Sequence, residues 1–281
     1  MSQVISLQAS ERTAASNSGW RARMGLRAPS TMSDLLHLVG SDDGDRQATD
    51  ALTVPVRQMR AGVTLFHEGA PADAIYFVRA GTFKCFQTAE DGYEQVLGFS
   101  CRGDVVGFDA VCSAKHPSAA VALEDSSVYV VALRDLFGLG ACAGALNRMV
   151  HLAISRELTR RGEVADVMAA VGAEVRLARF LVQLSGRMAA CGLSPRRIVL
   201  RMSRRDIASH LGVAHETVSR SFSELVQRGY LQVRNREIEI VDLDGLRESS
   251  RNTRGLAEDW KLRQHATRSA EQVREAARGL S

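Results

Sequence analysis

The spacing of the hydrophobic residues changes near residue 137, and this change limits the possible fold more than any other feature. Between Leu52 and Leu133, short apolar runs alternate with glycine-centred turns; the runs are 63–66, 75–78, 96–99 and 128–131. Brief strands at such regular spacing are typical of an all-β sandwich or roll, not of a parallel sheet with crossover helices. After Leu136 glycines become scarce and helical periodicity begins. We therefore expect an α+β protein with its strands first.

The composition is that of an ordinary globular protein. The 281 residues are 45% hydrophobic and 24% charged, which suits one large or two ordinary domains. The five cysteines include no CxxC pair, and an odd number without a signal peptide does not predict a disulfide framework. No apolar run of roughly 18 residues occurs, so no transmembrane helix is expected. These features predict a cytoplasmic protein.

A long amphipathic helix is predicted after the strands. It could reach Met168, and its apolar face consists of Leu146, Met149, Val150, Ala153, Ile154 and Leu158. Such a stripe between two domains needs a partner and would suit a dimer seam. The alternative is that the stripe packs on the β-domain of its own chain. A second helix is expected over residues 173–190, ended by Gly192 and Pro195.

The segment 196–236 carries nine arginines against three acids, whereas the net charge of the whole chain is only +4. Ser203 is a good N-cap, and Asp206 three residues later favours a capping interaction. Gly212 then fits a tight turn that needs positive φ. A second helix over about 214–228 follows, and residues 231–233 and 237–241 are typical of a small β-hairpin. This order predicts a winged helix-turn-helix.

The second helix of this motif has two faces. Its apolar residues Val218, Phe222, Leu225 and Val226 are expected in the core, with His215, Glu216, Ser219, Arg220 and Ser223 pointing outward. In a DNA major groove, Arg220 can bind guanine O6 and N7, Glu216 can accept from cytosine N4, and Ser219 is short enough for close approach. The residues predicted to hold the phosphate backbone are Ser203, Arg204, Arg205, His215 and Thr217. The alternative is that Glu216 and Arg220 merely form a surface ion pair.

These patterns divide the chain into five segments. They are a flexible N-terminal extension with a short helix near 32–39 (1–50), a β-roll (51–137), the long helix (138–170), the winged helix-turn-helix (171–247) and a tail (248–281).

Several stretches resemble the Crp/Fnr family of bacterial transcription regulators, and its Fnr/FixK branch more closely than its cAMP-binding branch. Residues 216–220 read ETVSR, which looks like the E-x-x-S-R signature of the Fnr branch. The cAMP-responsive branch typically has glycine where this chain has Ser219. Further similar stretches are 103–110, 116–118, 194–196, 200–204 and 206–207, and the whole resemblance covers roughly 54–241.

The resemblance implies a cyclic-nucleotide-binding-like β-roll, a long dimerisation helix and a homodimer. It also implies recognition of an inverted repeat with TTGAT-like half-sites about one helical turn, ~34 Å, apart. RNA polymerase is a further expected partner, contacted by the surface loop around residues 90–94. No membrane partner is expected.

The chain departs from the family at both known sensory sites. Cyclic-nucleotide-binding members clamp the phosphate with an arginine followed by Ser or Thr, but residues 115–118 here read KHPS. With only Asp104 available for the ribose, cAMP binding is not predicted. An iron–sulfur cluster is also disfavoured, because the first cysteine is Cys85 and the interior ligand position corresponds to Tyr129. Haem on His67, His116 or His151 is not excluded, and Cys191 is a possible redox handle.

The sequence therefore predicts a DNA-binding transcription regulator whose partner is double-stranded DNA. The alternative is a ligand-receptor β-domain whose C-terminal helices contact a protein. An enzyme is not expected, because the chain contains no Ser/His/Asp arrangement, HExxH, P-loop or dinucleotide fingerprint.

Overall fold

The computed structural model describes residues 26–40, 53–136 and 143–251. The predictions for the start of the extension and for residues 252–281 of the tail lie outside these ranges. The chain forms two compact units, with the boundary between Thr159 and Arg160. This boundary falls inside the long helix that the sequence predicts. Within the described ranges, no helix is long and apolar enough to cross a membrane.

In its described residues, the first unit is built on nine strands that pair antiparallel. They are β1 (Leu26–Thr31), β2 (Thr53–Met59), β3 (Thr64–Phe66), β4 (Ala74–Ala80), β5 (Phe83–Thr88), β6 (Glu94–Ser100), β7 (Val105–Val106), β8 (Ala119–Ala122) and β9 (Ser126–Ala132). One sheet has the order β1-β2-β9-β4-β7 and the other β3-β8-β5-β6. The predicted β-roll is confirmed, and each of the four apolar runs contributes a strand.

Both faces of the larger sheet are covered, as strand β9 shows. Its side chains alternate between two hydrophobic clusters: Val128 and Val130 face the second sheet, and Tyr129 and Val131 face a layer of helices. Alternation follows from the period of two along a strand. Because both layers exclude water, every residue of β9 is buried.

The helices of this unit are α1 (Met32–Leu38), the short α2 (Leu133–Leu136) and the first part of α3 (Ala143–Ala169). Met149 and Ala153 of α3 are buried in the cluster that includes Leu35 of α1. Leu158, farther along the same predicted stripe, is 65% exposed. The alternative in which the stripe packs on its own β-domain therefore holds for its first half. The structure does not describe the side chain of Leu146.

Strand β1 corrects the prediction that residues 1–50 contain only a flexible start and a helix. Its backbone pairs antiparallel with β2, with Ala28 opposite Val56 and Thr31 opposite Thr53. The segment gave no strand signal because it contains Pro29, which cannot donate a hydrogen bond to a sheet. Proline is tolerated on an edge strand, and β1 is the edge of its sheet.

Up to Arg251, where the description of the second unit ends, this unit holds the end of α3, four further helices and three strands. These are α4 (Ala173–Ala190), α5 (Arg204–Leu211), α6 (His215–Gln227), α7 (Leu243–Arg251), β10 (Arg197–Val199), β11 (Leu231–Arg234) and β12 (Glu237–Ile240). The predicted helix-turn-helix and hairpin are confirmed. The sheet order is β10-β12-β11, so the wing has a third strand that the sequence did not predict.

One core residue of α6 was wrongly predicted. Val226 is 40% exposed, whereas Ser221 is buried beside Val218, Phe222 and Leu225. At 100° per residue, Ser221 lies nearer to the centre of this buried face than Val226 does. The Ser221 hydroxyl donates to the Thr217 carbonyl at 2.9 Å, so its burial leaves no unmet hydrogen bond.

Candidate nucleic-acid interface

Helix α5 begins at the capping box that the sequence predicts. The Ser203 Oγ accepts a hydrogen bond from the Asp206 backbone N–H at 3.1 Å. In return, Asp206 Oδ2 accepts from the Ser203 backbone N–H at 2.9 Å. Gly212 ends the helix with φ +63°, the left-handed conformation for the tight turn into α6. Local sequence chemistry thus sets the start of α5 and the turn.

Helix α6 presents the three predicted base-reading side chains on its exposed face. Glu216, Ser219 and Arg220 are all exposed, and the Ser219 hydroxyl donates to the His215 carbonyl at 3.3 Å. Toward the end of the helix this face forms a shallow concavity, lined by Ser219, Arg220, Ser223, Glu224, Gln227 and Arg228. The exposed face of α6 therefore continues past Arg220, farther than the residues selected from the sequence.

The alternative of a surface ion pair between Glu216 and Arg220 does not hold, because the two side chains make no ion pair with each other. Glu216 instead lies 3.0 Å from His215 Nδ1. The pKa of Glu216 is lowered, first by a hydrogen bond from its own backbone N–H, then by His215 and to a smaller extent by the positive charge of Arg220. Arg220 makes no hydrogen bond or ion pair with any residue that the structure describes. A carboxylate and an unpaired guanidinium thus stand one helical turn apart, able to accept from and donate to base edges.

The residues predicted to hold phosphates differ in their exposure. Ser203, Arg205 and His215 are exposed and Thr217 is half-buried. Arg204 is also half-buried, because its guanidinium lies on the ring of Phe222, with Cζ 3.4 Å from the ring centroid. The Arg204 Nη1 is buried without a hydrogen-bond partner, and burial lowers the pKa of this guanidinium.

The wing adds two positive side chains that sequence reasoning counted but did not assign. Arg234 and Arg236 flank Asn235, whose φ of +56° makes the tight turn between β11 and β12. All three residues are exposed. The sequence Arg-Asn-Arg at a hairpin turn could have indicated these contacts, because side chains at such a turn extend beyond the body of the domain.

The β-roll contains a buried histidine, His116, within residues 115–118, the region that the resemblance aligns with the nucleotide-binding arginine. The His116 ring stacks on Phe66 with centroids 3.7 Å apart, and its Nδ1 is buried without a partner. Gly107 lies so close that a Cβ there would stand 3.0 Å from His116 Cε1. Burial lowers the pKa of His116. Aromatic stacking fills this place, and residues 115–118 contain no guanidinium that could clamp a cyclic phosphate.

The other two candidate haem ligands lie on the surface. His67 is exposed, and the exposed His151 has Nδ1 2.7 Å from the Asn147 carbonyl oxygen. Among the residues described, no three His, Cys, Asp or Glu side chains come together as a possible metal site.

A capped helix-turn-helix with an exposed polar recognition face and a basic wing defines the class: a DNA-binding regulator with a separate β-roll. Two family models match the chain, a cyclic nucleotide-binding domain over residues 56–141 and a Crp-like helix-turn-helix domain over 175–249.

Comparisons with individual proteins identify the family. The chain is 38% identical to the transcriptional regulatory protein btr of Bordetella pertussis over 210 residues, 75% of this chain and 87% of that protein. It is 36% identical to the fumarate and nitrate reduction regulatory protein of Escherichia coli over 201 residues, 72% and 80% of the two chains. The structure of FixK2 from Bradyrhizobium japonicum matches with a TM-score of 0.61 at 29% identity, covering 70% of this chain and 97% of that one. The chain belongs to the Crp/Fnr family of transcription regulators, which are not enzymes.

Proposed function

We propose that this regulator binds, as a homodimer, an inverted repeat with TTGAT-like half-sites, through Glu216, Ser219 and Arg220. The observation that carries the proposal is the exposed pair of Glu216 and Arg220, which are not joined to each other. The similarity of the 216–220 stretch to the E-x-x-S-R signature supports the half-site. Since the partner is DNA, the protein is expected to work in the cytoplasm.

The backbone contacts come from side chains around this face. Ser203, Arg205, His215 and Thr217 lie at the starts of α5 and α6, where the helix dipole also favours phosphate. Arg234 and Arg236 of the wing add a second basic contact. Neutralising phosphates releases counterions, so binding should weaken linearly on a log–log plot against salt.

Fluorescence anisotropy with a TTGAT-N4-ATCAA duplex and a scrambled duplex tests the proposal. Arg220→Ala should cost about 1–3 kcal/mol on the inverted repeat and relax selectivity at one base pair. Arg247→Ala is the matched control, because Arg247 lies on α7 and pairs with Asp244 at 3.2 Å. Wild-type selectivity in Arg220→Ala would refute the assigned role.

The dimer seam is expected where the stripe of α3 leaves its own β-domain. Leu158 is 65% exposed on this helix, unlike the buried Met149 and Ala153. A second copy of α3 would cover it, as paired helices bury such positions. Light scattering should show that Leu158→Arg is monomeric, while Leu193→Arg, at a similarly exposed leucine, remains dimeric. A dimeric Leu158→Arg would contradict the proposed seam.

RNA polymerase is the second proposed partner, contacted by the turn between β5 and β6. The turn is exposed from Glu90 to Gln95, and Tyr93 is 52% exposed at its end. Tyr93→Ala should reduce transcription in vitro while leaving DNA binding unchanged. Equal transcription by the variant would refute this contact.

Neither a cyclic nucleotide nor an iron–sulfur cluster is part of the proposed mechanism. The stacked His116 and the absence of an arginine from 115–118 support the first exclusion, and Tyr129 in place of a cysteine supports the second. Isothermal titration with cAMP and the visible spectrum of aerobic protein test both. Measurable heat or a visible chromophore would overturn the corresponding exclusion.

A further inference from the structure

Arg204 and Arg205 are neighbours in sequence but lie in different environments. Arg205 is exposed at the start of α5, as a phosphate contact requires. The Arg204 guanidinium instead lies 3.4 Å from the ring centroid of Phe222, which is itself only 4% exposed. At this distance the cation contacts the face of the ring, where the quadrupole attracts it.

The edge of the Arg204 guanidinium is also partly removed from water. Its Nη1 is buried and makes no hydrogen bond. A buried, unpaired donor is unfavourable, so the stack on Phe222 must offset that cost for this conformation to persist. A side chain that only reached for a phosphate would gain nothing from this arrangement.

Phe222 connects this stack to the recognition surface. It lies on the buried side of α6, two residues after Arg220 and three after Ser219. A flat contact between α5 and α6 limits how far α6 can rotate or slide against α5. Such a rotation would displace the base-reading side chains, because they are fixed to the same rigid helix.

We propose that Arg204 is a positioning residue, which holds the recognition helix by stacking on Phe222, and that it is not the phosphate contact expected from its sequence position. This role rests on the proposed DNA-binding function. It predicts that the planar shape of the side chain matters as well as its charge. Lysine carries the same charge but is a compact, strongly hydrated point charge that cannot stack flat.

Three variants distinguish a role of Arg204 in positioning α6 from a role in contacting phosphate. Arg205→Met is the matched control. Arg204→Lys keeps the charge, Arg204→Met keeps the long stem, and Phe222→Leu removes only the ring. Binding of full-length protein to the TTGAT-N4-ATCAA and scrambled duplexes is measured by anisotropy over a salt series.

If Arg204 positions α6, all three variants lose affinity for the inverted repeat by about tenfold and change little on the scrambled duplex. Their salt slopes equal that of wild type. Combining Arg204→Met with Phe222→Leu adds little further loss, since both remove the same contact. Arg205→Met weakens both duplexes and lowers the salt slope by about one per protomer.

The proposal is overturned if Arg204→Lys binds like wild type while Arg204→Met lowers the salt slope as Arg205→Met does. Full affinity in all variants would overturn it as well. Wild-type protein that does not discriminate the duplexes would refute the half-site instead, and the same variants are then compared on the sequence selected by wild-type protein from a random library.

A measurement without DNA distinguishes loss of the stack from misfolding. It does not depend on the proposed DNA-binding function. The Arg204 side-chain Hε, assigned by its absence in Arg204→Lys, should resonate upfield because it lies over the Phe222 ring. Phe222→Leu should remove this displacement while far-UV circular dichroism stays unchanged. An ordinary Hε shift in wild-type protein would show that the stack does not exist.

Discussion

Replacing Ser203 by alanine should loosen the start of α5 without unfolding the second unit. The change removes the hydroxyl that accepts from the Asp206 N–H at 3.1 Å and lies 2.6 Å from Asp206 Oδ2. Asp206 can still accept from the backbone N–H of residue 203. Because Ser203 is exposed, water replaces part of the lost bonding, and the cost is about 1 kcal/mol, typical of an N-cap.

Hydrogen exchange followed by mass spectrometry locates this cost. A loss of about 1 kcal/mol speeds exchange through local opening by about fivefold. We expect the increase in the peptide over 203–211 and not in a peptide within α4, since only α5 loses its cap. Unchanged protection of α5, or an equal increase in both peptides, would refute the reasoning.

Ser203→Asp separates the cap from the phosphate contact. Aspartate is as good an N-cap as serine, but its carboxylate would repel Asp206 Oδ2, which lies 2.6 Å from the Ser203 hydroxyl, so protection of α5 should return only in part. DNA binding should remain weaker than wild type, because the new carboxylate repels phosphate. Full DNA affinity in Ser203→Asp would mean that no phosphate approaches this position.

Other sites give further predictions. Gly81→Ala should cost about 3 kcal/mol in urea unfolding, because φ is +92° and its Cβ would overlap Ser126; Gly212→Ala, at φ +63° with nothing nearer than 3.6 Å, should cost only about 1 kcal/mol. Met149→Ala should destabilise the first unit by about 2–5 kcal/mol, since Met149 is fully buried, and a loss under 1 kcal/mol would contradict its packing on the β-roll. Burial lowers the pKa of His116 below its ordinary 6.5, so the unfolded chain takes up the proton first as pH falls. Stability should therefore be complete above pH 6.5 and decline as pH falls below it, and His116→Phe should reduce that decline.

Local signals predicted the elements that depend on neighbouring residues. The four apolar runs became strands, and Ser203, Asp206 and Gly212 gave the start and end of α5 because capping and positive φ act within a few residues. The sequence did not predict strand β1, because an edge strand is held by backbone hydrogen bonds to its neighbour, and these leave no pattern in the side chains. Strand β10 is only three residues long, and its pairing with β12 brings together residues about forty positions apart.

The hydrophobic periodicity showed that one face of α3 must be covered. It could not show whether the β-roll of the same chain or another partner covers that face. Met149 and Ala153 pack on the β-roll of the same chain, whereas Leu158 remains exposed. The three side chains share one stripe, and their partners differ because the β-roll covers only the first part of it. A periodic pattern reports the need for burial and leaves the partner to tertiary structure.

For Arg204, the position in the helix predicts the environment of the side chain better than the residue type does. Arg204, Ile207, Ala208 and Leu211 occupy positions i, i+3, i+4 and i+7 of α5, which is one face of a helix, and the last three are buried. Arg205 lies about 100° farther round, toward solvent. A positive charge next to a predicted DNA-binding helix favoured a phosphate contact for both residues. Helical position separates them, and in a basic helix-turn-helix an arginine on the buried face should first be tested for a contact with the recognition helix.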